Sequence, residues 1–235
     1  MRKKNLLTFI LLVASIYIVH AEDKKDKATQ SFINRVIPKM YVGVNGGISF
    51  GGTTFSSFAK DNTDVGFNCG AFAGYEIDSI FSAELSLDYS YMNLKNRACC
   101  QNLWLGADGE RYFAPVSHMQ SYKYSEITAQ TNLYSLGTHL NINLLKIWYK
   151  ETKWSAVVSP ALYVVYSKVR LIDKSSKFHF GAGVDLGVGY KLSEKISLRL
   201  TTGLNYLTGN IDNLPREEHK KSYMWNSHIG AIYNF

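Results

Sequence analysis

From residue 39 to the end of the chain, apolar and polar residues alternate one by one, and this period of two constrains the fold more than any other feature. A strand sends successive side chains to opposite faces, so strict alternation marks strands whose two faces meet different surroundings. Residues 80–91 are the clearest case. Phe81, Ala83, Leu85, Leu87, Tyr89 and Tyr91 share one face, and Ser82, Glu84, Ser86, Asp88 and Ser90 share the other. Residues 196–206 and 178–192 repeat the pattern. Residues 40–50, 65–77, 134–144, 154–166 and 221–235 follow it less cleanly. Pro160 falls inside one of these runs and predicts a bulge there, because proline cannot donate to a strand ladder.

Eight strands result. The connections expected between them alternate in length: roughly 51–63, 95–123, 172–177 and 212–220 on one side, and 78–79, 145–153 and 193–195 on the other. Long connections at one end and mostly short turns at the other are the habit of transmembrane β-barrels. A soluble β-sandwich also alternates, but its strands run to about five or six residues. These run to ten or more, the length of a tilted membrane crossing. Aromatic residues on the apolar face gather at both strand ends. Tyr75, Phe81, Trp154, Tyr190, Tyr233 and Phe235 lie near the short turns, and Phe50, Phe67, Tyr89, Tyr91, Tyr166, Phe178, Phe180, Tyr206, Tyr223 and Trp225 lie near the long connections. Two aromatic belts bounding an apolar band are expected at the interfaces of a bilayer. The sequence therefore predicts an all-β fold, an eight-stranded antiparallel up-and-down transmembrane barrel.

The segments before residue 39 read differently. Residues 1–21 join a basic start (Arg2, Lys3, Lys4) to an apolar run and end in Val19-His20-Ala21, the form of a cleavable secretory signal peptide. Residues 22–38 read as a polar N-terminal tail, and 39–235 as the barrel domain. The formal charge of +7 owes three of its basic groups to the signal. Removing it leaves 23 basic against 19 acidic residues, or +4, too small an excess to suggest nucleic acid as a partner.

The chain closes on Ile229-Gly230-Ala231-Ile232-Tyr233-Asn234-Phe235. This resembles the C-terminal signal of bacterial outer-membrane proteins, with Tyr233 and Phe235 as the residues read by the barrel-assembly machinery. With the signal peptide and eight strands, the chain resembles the small outer-membrane barrels: the OmpA transmembrane domain, OmpX, OmpW and the PorT-like barrels of the Bacteroidetes. The resemblance implies outer-membrane lipid as surroundings, short turns and both termini in the periplasm, and long loops outside. OmpA-type proteins often add a peptidoglycan-binding domain after the barrel. That activity is not carried over, because the last strand ends the sequence.

Eight strands leave an interior that side chains fill. The inward positions are mostly Gly, Ser, Asn and charged residues, with Phe72, Tyr163 and Val157 as the few apolar ones. Glu84 and Arg199 each lie about five residues past a short turn, on the third and seventh strands, which face each other in an eight-stranded barrel. They predict an ion pair across the lumen. Asp88, His139, Asp185 and His228 are expected in the same or the next layer. Such a network is either a structural plug or a gate, and the plug is the preferred reading because buried charges must be matched.

The longest connection carries Trp104, Tyr112, Phe113 and Tyr122, aromatics suited to recognising an extracellular or secretion-system partner. It also holds Asp108, Glu110, Ser117 and His118, but in no nucleophile–base spacing, so an enzyme is not expected. Cys99 and Cys100 are adjacent and geometrically poor partners for each other. Cys69 has outward parity. No spacing suggests a metal or cofactor. Two functions follow: a non-enzymatic barrel with a plugged lumen that supports the envelope, displays loops or assists secretion or assembly; and a narrow channel or OmpW-like carrier for a small or hydrophobic solute.

Overall fold

A computed structural model describes residues 39–52, 65–95, 103–109, 111–113, 122–123, 128–149, 151–170, 174–209, 211 and 221–235. The expected signal peptide and tail lie outside the described residues. Eight long strands close a barrel: β1 (Met40–Gly52), β2 (Gly66–Glu76), β3 (Phe81–Lys95), β7 (Thr128–Asn143), β8 (Trp154–Arg170), β9 (Lys174–Lys191), β10 (Ile196–Thr208) and β11 (Lys221–Asn234). Three short strands, β4 (Leu103–Leu105), β5 (Arg111–Phe113) and β6 (Tyr122–Lys123), form a separate small sheet between β3 and β7. A single helical turn, α1 (Leu145–Trp148), precedes β8.

Each barrel strand pairs antiparallel with its sequence neighbour, and β11 returns to β1 from Tyr41–Asn234 to Gly52–Tyr223. Closure satisfies the backbone groups of the barrel wall within the sheet, as hydrocarbon requires. Stepping from partner to partner fixes the barrel's size. The path from Val42 runs through Ala73, Leu85, Thr138, Leu162, Ala182, Tyr206 and Tyr223, and re-enters β1 at Gly52, ten residues further on. A shear of ten on eight strands tilts them by about 41° at ~3.3 Å per residue and ~4.8 Å between strands. The backbone radius is then ~8 Å, which inward side chains fill.

The period of two sorts the wall as expected. Leu85, Leu87, Leu136, Leu162, Val184, Leu200 and Ile229 face outward and are exposed, while Glu84, Ser86, Ser135, Asn141, Asp185 and Asn205 face inward and are buried. Outside, Phe67, Tyr89, Tyr134, Tyr166 and Phe178 form a continuous aromatic ladder across β2, β3, β7, β8 and β9, with ring centroids 4.9–6.4 Å apart. Toward the short turns, Trp154 stacks on Tyr190 at 4.7 Å and Tyr233 meets Phe235 at 5.3 Å.

Two expectations are corrected. Pro160 makes no bulge. The β7–β8 ladder skips two pairs beside it, yet His139–Ala161 and Ile142–Val158 share one register. Its missing N–H faces β7, while Pro160 still sits opposite Val184 on β9. The third long connection is also absent. β8 and β9 pair as far as Arg170–Lys174, leaving only residues 171–173 between them. The serines of this segment read as a turn, but they lie in a strand that continues past the aromatic ladder.

Candidate functional site

The lumen holds the densest constellation of functional groups among the described residues. β3 and β10 stand on opposite sides of the barrel, four strands apart in either direction. Parity points Glu84 and Arg199 inward from these strands, and the structure brings them together. Arg199 Nη1 donates to Glu84 Oε2 at 2.8 Å, and Nη2 donates to Oε1 at 2.9 Å. This two-pronged geometry matches a planar guanidinium to a planar carboxylate. Both side chains are largely removed from solvent.

Further donors complete the carboxylate's shell. Tyr41 Oη donates to Glu84 Oε2 at 3.0 Å, and Asn141 Nδ2 reaches the same oxygen at 3.2 Å. Ser159 Oγ in turn donates to Asn141 Oδ1 at 2.6 Å. The guanidinium lies 4.4 Å over the ring of Phe72, a cation–π contact. Six strands thus meet around one ion pair: Tyr41 from β1, Phe72 from β2, Glu84 from β3, Asn141 from β7, Ser159 from β8 and Arg199 from β10.

A second cluster lies alongside. His139 Nδ1 is 3.2 Å from Asp185 Oδ2, and Ser86 Oγ is 3.0 Å from His139 Nε2. Tyr163 Oη donates to Asp185 Oδ2 at 3.2 Å, and its ring meets the imidazole edge-on at 5.4 Å. Asp88 accepts a long hydrogen bond, 3.4 Å, from Asn45 Nδ2. Asp88 and His228 line one cavity of about 40 Å³ with Asn68, Asn205, Asn226 and Thr201. That space holds only a few water molecules. An acceptor oxygen on each of those last four residues has no protein partner among the described residues.

Toward the long connections the interior changes character. Met92, Leu94, Leu133, Val165, Val169, Leu207, Ile211 and Met224 pack into one cluster and are almost wholly inaccessible. The expectation of only three apolar lumen residues is therefore corrected. Of the missed residues, Leu94 and Val169 sit where the outer wall has turned polar, beside Asn93, Lys168 and Arg170, while Leu133, Val165 and Met224 lie level with the outward aromatics Tyr134, Tyr166, Tyr223 and Trp225. Above the aromatic ladder the barrel is organised as a soluble protein is, apolar inside and polar outside. The signal was present in Met92 and Leu94, which continue the inward parity of Glu84, Ser86, Asp88 and Ser90.

The recognition residues expected in the longest connection fall on the small sheet. Trp104 is paired with Tyr112, and Phe113 with both Leu103 and Tyr122. Tyr112 Oη donates to Asp108 Oδ2 at 2.7 Å. Glu110, Ser117, His118, Cys99 and Cys100 lie outside the described residues. Cys69 is a free, outward-facing thiol.

Residues 9–235 match the family described as outer membrane protein beta-barrel domain. The chain belongs to that family. Among solved structures, this outer-membrane barrel is similar to Neisserial surface protein A, with a TM-score of 0.54 and 16% identity over 84% of this chain and 97% of that one. It is also similar to Ail, the attachment invasion locus protein of Yersinia pestis (TM-score 0.42, 11% identity, 83% and 97% covered). The outer membrane protein OprG from Pseudomonas aeruginosa is a third (TM-score 0.43, 12% identity, 83% and 95% covered). At such identities the likeness concerns the fold. No curated protein matches the chain. Membership places this barrel in the outer membrane and agrees with its apolar outer wall.

Proposed function

We propose that this barrel is a closed, non-catalytic scaffold of the outer membrane. Its short turns and both termini face the periplasm, and its long connections are displayed outward to bind a partner. An accessory role in secretion or assembly is one form of the same reading. The observation that carries it is the double closure of the lumen. The Arg199–Glu84 pair spans the interior at one level, and the cluster around Met92, Leu94 and Leu133 fills it at another. Between them lies space for only a few waters.

A carrier for hydrophobic solutes would also place apolar residues in the lumen. Here those residues pack against one another with almost no accessible surface, as a core does. Tyr233 and Phe235 point outward at the end of the last strand, half exposed, where the assembly machinery can read them.

The test is single-channel conductance of the refolded barrel in a planar bilayer, after a heat-dependent gel shift has established closure. A heat-modifiable, silent barrel is the expected result. Stable conductance steps in the unaltered chain would overturn the closed-scaffold reading in favour of a channel.

A further inference from the structure

Between the Arg199–Glu84 pair and the apolar cluster, the lumen keeps its cavity of about 40 Å³. With a shear of ten, one strand along the ladder changes the level by about 3 Å, and one residue along a strand by about 2.5 Å. Counted so, the Cα atoms of Asn68, Asp88, Asn205 and Asn226 lie within about 3 Å of one level. That level is about 12 Å from the ion pair, toward the long connections. Asp88 on β3 stands opposite Asn205 on β10, and Asn68 on β2 and Asn226 on β11 flank them.

Four oxygen donors therefore share one layer of the cavity wall. Asn68 Nδ2 donates to the Ile48 carbonyl at 2.9 Å, which fixes the amide and turns its Oδ1 to the other side. Asn68 and Asn205 are almost wholly buried, and the Oδ1 atoms of Asn68, Asn205 and Asn226 have no protein partner among the described residues. Glycines on neighbouring strands make room for this layer. A Cβ at Gly183 would strike Asn205 Oδ1, and one at Gly70 would strike Asp88 Oδ1.

Charge selects the occupant. The cavity is walled by the carboxylates of Glu84, Asp88 and Asp185, the Arg199 guanidinium and the imidazoles of His139 and His228. Arg199 matches Glu84, and His139 lies 3.2 Å from Asp185. Asp88 instead accepts a hydrogen bond of 3.4 Å from a neutral amide, Asn45 Nδ2. Water can satisfy an amide oxygen, but it does not balance the charge of a buried carboxylate. Hard oxygen donors around one carboxylate suit a hard monovalent cation, whereas a calcium ion would leave a positive charge buried. We propose that this cavity holds one partly hydrated alkali-metal cation as the counter-ion of Asp88, with the amide oxygens of Asn68, Asn205 and Asn226 around it. An asparagine reaches only part of the way from wall to axis, so water completes the ion's shell. The competing counter-charge is a proton on His228.

Thermal unfolding of the refolded chain in neutral detergent and urea tests it, followed by tryptophan fluorescence at pH 8, where imidazole is ordinarily neutral. Sodium or potassium chloride replaces choline chloride at constant ionic strength, which holds screening fixed; choline is too large for the cavity. A cation bound by the folded barrel should raise the midpoint by about 3–6 °C at a tenfold excess over its Kd. Asp88→Asn should remove the rise, and Asn205→Leu should weaken the apparent affinity about tenfold. Thallium(I), a heavy stand-in for an alkali cation, should give an anomalous peak between Asp88 and Asn205 in crystals of the unaltered protein, a readout that needs no variant to fold. Equal midpoints in choline and both alkali salts, a rise with calcium chloride alone, a rise that survives Asp88→Asn, or a cavity without thallium would overturn the proposal. Conductance enters neither readout, so this site and the closed-scaffold reading fail separately.

Discussion

Arg199 and Glu84 together bridge the barrel from opposite walls, joined through two parallel hydrogen bonds of 2.8 and 2.9 Å. Taking two charges out of water is costly, and their attraction repays it only with full satisfaction of both groups. Tyr41, Asn141 and Phe72 supply that satisfaction here. The pair therefore matters most when half of it is removed. Glu84→Gln or Arg199→Met leaves one buried charge uncompensated and should cost about 3–5 kcal/mol. Glu84→Met with Arg199→Met should recover most of that loss. Urea unfolding in micelles, followed by the heat-dependent gel shift, measures each step. A double variant as unstable as the singles would show that the pair itself is the main stabiliser.

The two closures of the lumen act in series, so opening one should leave the other shut. Arg199→Ala alone, or Met92→Ala with Leu133→Ala alone, should remain silent in a planar bilayer. Only the combined variant should conduct. The apolar substitutions should also cost about 2–5 kcal/mol each at most, as large-to-small changes in a packed core do. Conductance from Arg199→Ala alone would mean that the apolar cluster does not seal the mouth.

Much of this was legible in the sequence, because alternation in a barrel carries two facts at once. It gives the strand, and it says which side chains meet inside. Glu84 and Arg199 could be matched because each is counted from its own short turn, on strands that face each other in an eight-stranded barrel. The upper interior was less legible. Met92, Leu94, Val169 and Leu207 have inward parity, but at that height polar residues such as Lys168 and Arg170 face outward, and a polar segment reads as loop. Pro160 misled for another reason. Proline loses one ladder bond on one side, and a register already fixed by both neighbours absorbs that loss without a bulge. Asn141 and Ser159 could not be assigned to Glu84 from sequence, since their reach depends on the shear of the barrel.

Gly74 is small for a reason in the lumen. A Cβ at this position would run into the ring and hydroxyl of Tyr41, whose Oη donates to Glu84. Gly74→Val should push Tyr41 off the carboxylate and destabilise the barrel by about 1–3 kcal/mol, the usual cost of overpacking. Gly46→Val is the control. Its nearest neighbour would be 3.8 Å away, at the carbonyl oxygen of Asn68, and its face is outward. Paired thermal gel-shift midpoints compare the two. Equal losses would indicate a backbone requirement shared by both glycines instead of crowding at Tyr41.

The aromatic ladder should mark where hydrocarbon ends, and charge substitutions on the outer wall can locate that boundary. Leu87 lies below the ladder and is 60% exposed on the outer face. Leu87→Arg places a cation in the apolar band and should cost about 2–4 kcal/mol if the position lies near the midplane. Asn132 lies two residues above Tyr134, beside Lys168, where the wall is already polar. Asn132→Arg should cost only about 0–1 kcal/mol, as expected near an interface. Unfolding free energies in bilayers give both values directly. A cost at Asn132 as large as at Leu87 would move the boundary outward by at least one ladder step and place the upper barrel, with its apolar cluster, inside the membrane.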